Sequence, residues 1–163
     1  SKTVSPGLRI GYLAAPAWAQ NHVNRALRGS CWMTSPLTVE IATRLIVDGG
    51  AKRILRARRE EAQVRVKLAQ EILQGYELRA APAAIHIWLW LPEPWRATTF
   101  ADEARHHGVN VTPADTFAIG RQTADHAIRI CLGPPQRDGL AEGLRRLRRL
   151  LEDGPSGNSF GVV

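Results

Sequence analysis

The sequence predicts an α/β chain ending in a small α+β lobe, in which an antiparallel sheet carries helices on one face and one long helix connects it to what precedes. Three observations carry this expectation. Ile54, Leu55, Ala62, Val66, Ala69, Ile72 and Leu73 recur at helical spacing over roughly Ala51 to Leu73, with Gly75 as the stop. At 1.5 Å per residue such a helix spans about 35 Å, enough to bridge two lobes. From Ala84 the period changes to the β-rich run Ile85-His86-Ile87-Trp88-Leu89-Trp90-Leu91, closed by Pro92. Then come a helix over 97–107 ending at Gly108, a short strand Val109-Asn110-Val111, a strand from Ala127 to Leu132, and a closing helix from about Asp138 to Leu151. Strand, helix, strand, strand, helix is the order of a sheet covered on one side.

Upstream, Ser1 to Gly7 is rich in turn residues, and Leu8 to Ala14 reads as a short strand ending before Pro16. Residues from about Pro16 to Arg28 suit a helix, with Pro in the first turn and Gly29 past the end. Ser35-Pro36 opens another helix, carrying Leu37, Ile41, Leu45 and Ile46 on one side until Asp48-Gly49-Gly50. The residues from Gly154 onward read as a frayed tail. No internal repeat or low-complexity segment is present.

The chain has 163 residues, with 44% hydrophobic and 23% charged, which suffices for a globular core and excludes disordered and collagen-like classes. No apolar run approaches the roughly 20 residues of a membrane span, and the amino terminus does not resemble a signal peptide. A soluble cytoplasmic domain is the expectation. Cys31 and Cys131 lack a metal-like spacing and read as two buried, reduced thiols, so no metal is expected.

Net charge is +7, and because Lys2, Lys52 and Lys67 are the only lysines, the positive surplus is almost wholly arginine. A basic module binding nucleic acid through these arginines is therefore one reading. Their distribution argues against it. Arg145, Arg146, Arg148 and Arg149 fall between Leu140, Leu144, Leu147 and Leu151, whose spacing marks one buried helical stripe, leaving the arginines as a mostly solvated face. Arg53, Arg56, Arg58, Arg59 and Arg65 face several directions, and residues 36–73 make a poor helix-turn-helix because both helices are too long.

Most other polar candidates have ordinary roles. His106 and His107 end a helix, where imidazolium meets terminal carbonyls. His86 alternates with Trp88 and Trp90 on one sheet face, and the two indoles suit a core or lobe interface better than base stacking. Asp115 and Asp125 suit turns.

Chemistry points to the amino terminus. A lysine on a rigid turn with an arginine seven residues later, Lys2 and Arg9, suits a phosphorylated aldehyde cofactor. The amine condenses with the aldehyde, and Arg9 and Ser1 offer a guanidinium fork and a hydroxyl to the phosphate. A terminal lysine and an unrelated surface arginine fit the same residues.

Ser-Lys-Thr-Val-Ser-Pro-Gly-Leu-Arg-Ile-Gly-Tyr (1–12) resembles the cofactor-lysine segment of fold-type I pyridoxal-phosphate enzymes, especially the aminotransferase-like half of MocR-type regulators of the GntR family. The resemblance continues through Ile85 to Pro92, which is similar to the strand opening that family's small domain. It extends through Gly108 to Pro113 with Phe117, and through Ala127 to Gly133, which resembles the carboxylate-arginine strand. Order and spacing agree from residue 1 to about 152. The resemblance implies that Lys2 is the lysine that forms an imine with pyridoxal 5'-phosphate and that Arg9, assisted by Ser1, binds its phosphate. It implies an amino-acid or amine effector, with Arg129 gripping the carboxylate of an amino-acid ligand, while Cys131, two residues on, packs.

In such proteins the cofactor lysine lies past the middle of the chain, whereas here it is residue 2. The large domain, with the acid on the pyridine nitrogen and the ring-stacking aromatic, and the winged-helix DNA-binding domain of a regulator would both precede Ser1. The expected organisation is a remnant of the large domain over 1–50, an interdomain helix over 51–75, a small α+β domain over 76–153 and a tail over 154–163. The leading expectation is the carboxy-terminal part of a MocR-type transcriptional regulator, homodimeric in the parent and touching DNA only through the preceding winged helix. The alternative is a piece of a genuine aminotransferase of the aminoadipate or aromatic amino-acid type. In either case the isolated chain is not expected to transaminate, because the ring-binding partners lie elsewhere.

Overall fold

The computed structural model describes residues 4–119 and 126–155. The chain divides into two compact units, Ser1–Arg58 and Arg59–Val163.

The first unit opens on a single 3₁₀ turn, Pro6–Leu8, whose preceding Ser5 accepts a hydrogen bond from the Gly7 N–H at 3.3 Å. The turn closes on Arg9 in the left-handed region, φ 50°. The strand expected over 8–14 is absent: the segment is irregular, and Tyr12 and Leu13 are exposed. A strand is a pairing rather than a propensity, and this segment joins no sheet among the described residues. A second 3₁₀ turn, Ala17–Ala19, leads into α1 (Gln20–Ser30), so this helix begins later and ends later than its sequence signals suggested. Gly29 is not its stop. Helix α1 continues through it, and the left-handed position falls on Trp32, φ 63°. Helix α2 (Pro36–Val47) forms as expected, but its apolar side is not a core face: Leu37, Ile41 and Ile46 are exposed and Ala42 alone is buried. At its end Gly49 takes φ +70°, and a Cβ on Gly50 would lie 3.2 Å from a Leu45 methyl, so the Gly-Gly pair is a steric requirement of the turn. Arg53 caps this end, its Nη1 donating to the Asp48 carbonyl at 3.1 Å.

Helix α3 (Gly50–Ile72) matches the expected long helix within a residue at each end. In the second unit, β1 (Leu78–Arg79), β2 (His86–Trp90), β3 (Thr112–Pro113) and β4 (Ala127–Cys131) form one antiparallel sheet in the order β1-β2-β4-β3. Helices α4 (Ala97–His106) and α5 (Arg137–Asp153) complete it. Side chains alternate across a sheet, and register puts Ile87 with Ile130 and Leu89 with Ile128 on the core face. There they meet Val66 and Ala69 of α3, Leu73 just past its end, Phe100 and Ala104 of α4, and Leu140, Leu144, Leu147 and Leu151 of α5. The leucine stripe read from the sequence is thus the buried face of α5.

One expected strand is displaced and one strand was not expected. Val109 to Val111 is not a strand, because the Val109 N–H is taken by the Ala104 carbonyl at the end of α4 (2.8 Å), and pairing with β4 begins only at Thr112. Strand β1 has two residues, too few for any alternation to show. The cysteines are free but exposed rather than buried: Cys31 caps α1, and Cys131 ends β4 on the side away from the core. The expected tail lies, from residue 156 on, outside the described residues. No described helix is long and apolar enough to cross a membrane.

The arginines of the second unit are structural to a degree the sequence did not reveal. Arg148 is no mere solvated residue: its Nη1 donates to the Ile72 carbonyl at 2.7 Å while its Nε holds Glu152, so α5 caps α3. Arg146 donates to the His107 carbonyl at 3.2 Å, capping α4. Arg65 donates to the carbonyls of Leu132 and Pro135, both at 2.7 Å, and to Gly133 at 3.3 Å, while its Nε holds Glu61 at 2.7 Å. Arg137 closes on the same carboxylate from α5.

The Arg137 and Arg65 guanidinia lower the Glu61 pKa from 4.5 to about 2. A carboxyl depressed by folding adds stability that is full above its unfolded value and is lost as pH falls toward the folded one. The urea midpoint of the wild type is therefore expected to fall between pH 5 and pH 2.5 more than that of Glu61→Gln. Parallel pH profiles of the two proteins would show that the triad is not coupled to folding.

Candidate functional site

The face of the sheet opposite the core carries the candidate residues. Register places Arg79, Trp88, Arg129 and Thr112 in one row across β1, β2, β4 and β3, with Trp88 directly opposite Arg129. His86 and Cys131 pair one step along the same face, and Trp90 lies on the other side of Trp88. The alternation of His86, Trp88 and Trp90 read from the sequence correctly places all three on this face. The indoles are half-buried side chains of the solvent face rather than of the core.

Arg129 is the centre of the row. Its guanidinium carbon lies 4.6 Å from the centroid of the Phe117 ring. Phe117 in turn tilts against Trp88, with centroids 5.9 Å apart, and Trp88 meets Trp90 edge to face at 6.5 Å. A guanidinium stacked on a ring is fixed in plane and partly stripped of water, and such a contact is worth about 0.5–2 kcal/mol. Arg129 has no acidic partner among the described residues, and its buried Nε has no hydrogen-bond acceptor among them. An arginine held on an aromatic shelf with donors unspent is prepared for a planar anion. Phe117 is the member whose part the sequence did not disclose. Only its place in the resemblance marked it, since contacts between a 3₁₀ turn (Ala114–Phe117) and a strand leave no periodic trace.

Of the other predicted site residues, Ser1 and Lys2 lie outside the described residues. Arg9 is exposed at the end of the Pro6–Leu8 turn, and its guanidinium has no partner among the described residues. It belongs to the first unit and Arg129 to the second. Among the described residues no three His, Cys, Asp or Glu side chains come together as a metal site.

The chain matches the family model for aminotransferase class I and II over residues 2–147. The uncharacterized HTH-type transcriptional regulator YdeF of Bacillus subtilis is 32% identical over 154 residues, which cover 94% of this chain and 33% of that protein. The 2-aminoadipate transaminase of Thermus thermophilus is 28% identical over 156 residues, or 93% of this chain and 39% of that protein. The structure is similar to that of the α-aminoadipate aminotransferase LysN from Thermus thermophilus, complexed with N-(5'-phosphopyridoxyl)-L-leucine. That likeness has a TM-score of 0.80 and 25% identity, and it covers 94% of this chain and 40% of the other. This chain therefore spans about a third of the length of the curated relatives it matches. With a match running from residue 2 to residue 147, the chain belongs to the aminotransferase class I and II family.

Proposed function

We propose that this chain is the carboxy-terminal, aminotransferase-like part of a MocR-type transcriptional regulator of the GntR family, responsive to pyridoxal 5'-phosphate and an amino-acid or amine effector. The observation that carries the reading is Arg129, whose guanidinium is fixed on Phe117 with a buried Nε lacking an acceptor. The likeness to an HTH-type regulator over 94% of the chain favours a regulator as the parent.

The described residues fit the cofactor: Arg9 is exposed at the end of a tight turn and has no partner among the described residues, leaving its guanidinium for a phosphate. Bound pyridoxal phosphate supplies an aldehyde that condenses with amines and a ring that withdraws electrons. Lys2 offers its Nζ to that aldehyde, Arg9 and the Ser1 hydroxyl hold the phosphate, and Arg129 turns the effector by its carboxylate. In the parent, effector binding changes the balance between two conformations and so the DNA affinity of a preceding winged helix. This reading goes with a homodimeric, cytoplasmic parent. It divides the chain into a large-domain remnant over 1–50, a connecting helix over 51–75, a small domain over 76–153 and a tail over 154–163.

The likeness to a 2-aminoadipate transaminase favours a second reading, an enzyme with the same residues, in which Lys2 Nζ also carries a proton between carbon atoms as general base. The coding sequence upstream of Ser1 separates the two: a winged-helix segment before the large domain marks a regulator, and the large domain alone an enzyme.

The site itself is tested by reducing the chain with borohydride in the presence of pyridoxal phosphate and mapping the label by mass. Lys2 is expected to be modified ahead of Lys52 and Lys67. Equal labelling of the three would overturn the assignment of Lys2.

A further inference from the structure

We infer that the ligand whose carboxylate meets Arg129 carries an aromatic or similarly broad apolar group beside it, seated on Trp88 and Phe117. This rests on the reading of Arg129 as the carboxylate grip and specifies what that grip accepts.

The argument begins with the plane of the guanidinium. Its N–H bonds lie in that plane, so a carboxylate approaches from the edge. The guanidinium already sits over the Phe117 ring, its carbon 4.6 Å from the ring centroid. Beside Arg129 on the same side of the sheet stand aromatic rings toward β2 and Thr112 toward β3. Trp88 is the cross-strand partner of Arg129, Phe117 leans on Trp88 at 5.9 Å, and Trp90 extends the surface. Phe117 keeps 43% of its surface exposed, a large apolar area beside a cation that has no acidic partner among the described residues. A small carboxylic acid would satisfy the charge and leave those rings in water. An arylalkanoic acid covers both, and by excluding water from the pair it strengthens the ionic contact.

A dicarboxylate is the rival to weigh, because Arg79 stands in the same row. Strands β1 and β4 flank β2, so the Arg79 and Arg129 backbones are about 10 Å apart at ordinary strand spacing. The Trp88 side chain occupies the interval. A second acid group spanning that distance would lie along an indole, a poor seat for a charge.

The test uses the 163-residue chain labelled with ¹⁵N-arginine, following the Arg129 Nε–Hε signal, which is assigned by its loss in Arg129→Lys. 3-Phenylpropanoate is expected to half-saturate the shift at about one-tenth the concentration that propanoate needs. Phe117→Leu, at an exposed position that tolerates the change, is expected to reduce that ratio to about twofold. Equal half-saturation by the two acids, or tighter binding of glutarate than of 3-phenylpropanoate, overturns the aromatic preference while leaving Arg129 as a carboxylate grip. No response of Arg129 to any of the three acids overturns both readings.

Discussion

Replacing Arg65 by methionine is expected to destabilise the second unit by about 3 kcal/mol, far more than loss of an ordinary surface ion pair. The side chain is 13% exposed and runs from α3 to the loop after β4, where it satisfies three carbonyls, those of Leu132, Gly133 and Pro135. Methionine fills similar volume but leaves those three carbonyls without this donor and leaves Glu61 to Arg137 alone. Arg65→Lys keeps the charge but cannot serve Glu61 through Nε and three carbonyls through Nη1 together, so an intermediate loss of about 1–2 kcal/mol is expected. The comparison is Arg105→Met, which removes a pair with Asp102 in which both side chains are about two-thirds exposed, at a cost of about 0.5 kcal/mol or less. Urea unfolding at constant m-value gives all three. If Arg65→Met and Arg105→Met shift the midpoint equally, Arg65 is a surface residue and not a clamp.

That residue also shows where sequence reading reaches its limit. Periodicity identified α3, β2, β4 and the leucine face of α5, because a buried stripe repeats with the geometry of its own element. Arg65 contacts the loop at 132–135, and Arg148 contacts the end of α3, through partners distant in the chain; such pairs have no period. Arg148 and Arg146 therefore read as part of a solvated face and Arg65 as one of several scattered charges, whereas the fold makes the first two caps of α3 and α4 and the third a clamp on the loop after β4. The irregular segment 8–14 fails for the converse reason. Its composition is that of a strand, but pairing depends on a neighbour that no pattern within the segment specifies.

For the site, the residue types and their order were legible, and the geometry was not. Arg129 was marked by resemblance, and the alternation of β2 correctly put Trp88 on a shared face with Trp90. Nothing in the sequence said that register would set Trp88 against Arg129, or that the turn at Ala114–Phe117 would bring a ring beneath the guanidinium. Those two placements turn an arginine on a strand into a candidate anion site. They follow from how β3 and β4 pair, with Thr112 opposite Arg129 and Phe117 five residues further along the chain.

Core truncation at Phe100 is expected to be the most damaging single change, about 4 kcal/mol for Phe100→Ala. Phe100 has no exposed surface and meets Trp95 edge to face, with centroids 5.0 Å apart and planes at 83°. Alanine therefore loses the transfer energy of a whole ring, leaves a cavity beneath β2 and β4, and removes an aromatic contact worth about 1 kcal/mol. Phe100→Leu keeps much of the volume and is expected to cost about 1.5 kcal/mol. The partner responds differently. Trp95 is 1% exposed, and its indole Nε1 has no acceptor among the described residues, so Trp95→Phe removes a buried donor that no hydrogen bond offsets. Relief of that desolvation partly compensates the lost ring area, and a cost below about 1.5 kcal/mol is expected despite the larger residue being cut. Urea unfolding of the three variants orders them as Phe100→Ala well above the other two. A Trp95→Phe loss as large as that of Phe100→Ala would mean that the indole N–H finds an acceptor in solution whose bond outweighs any relief of desolvation.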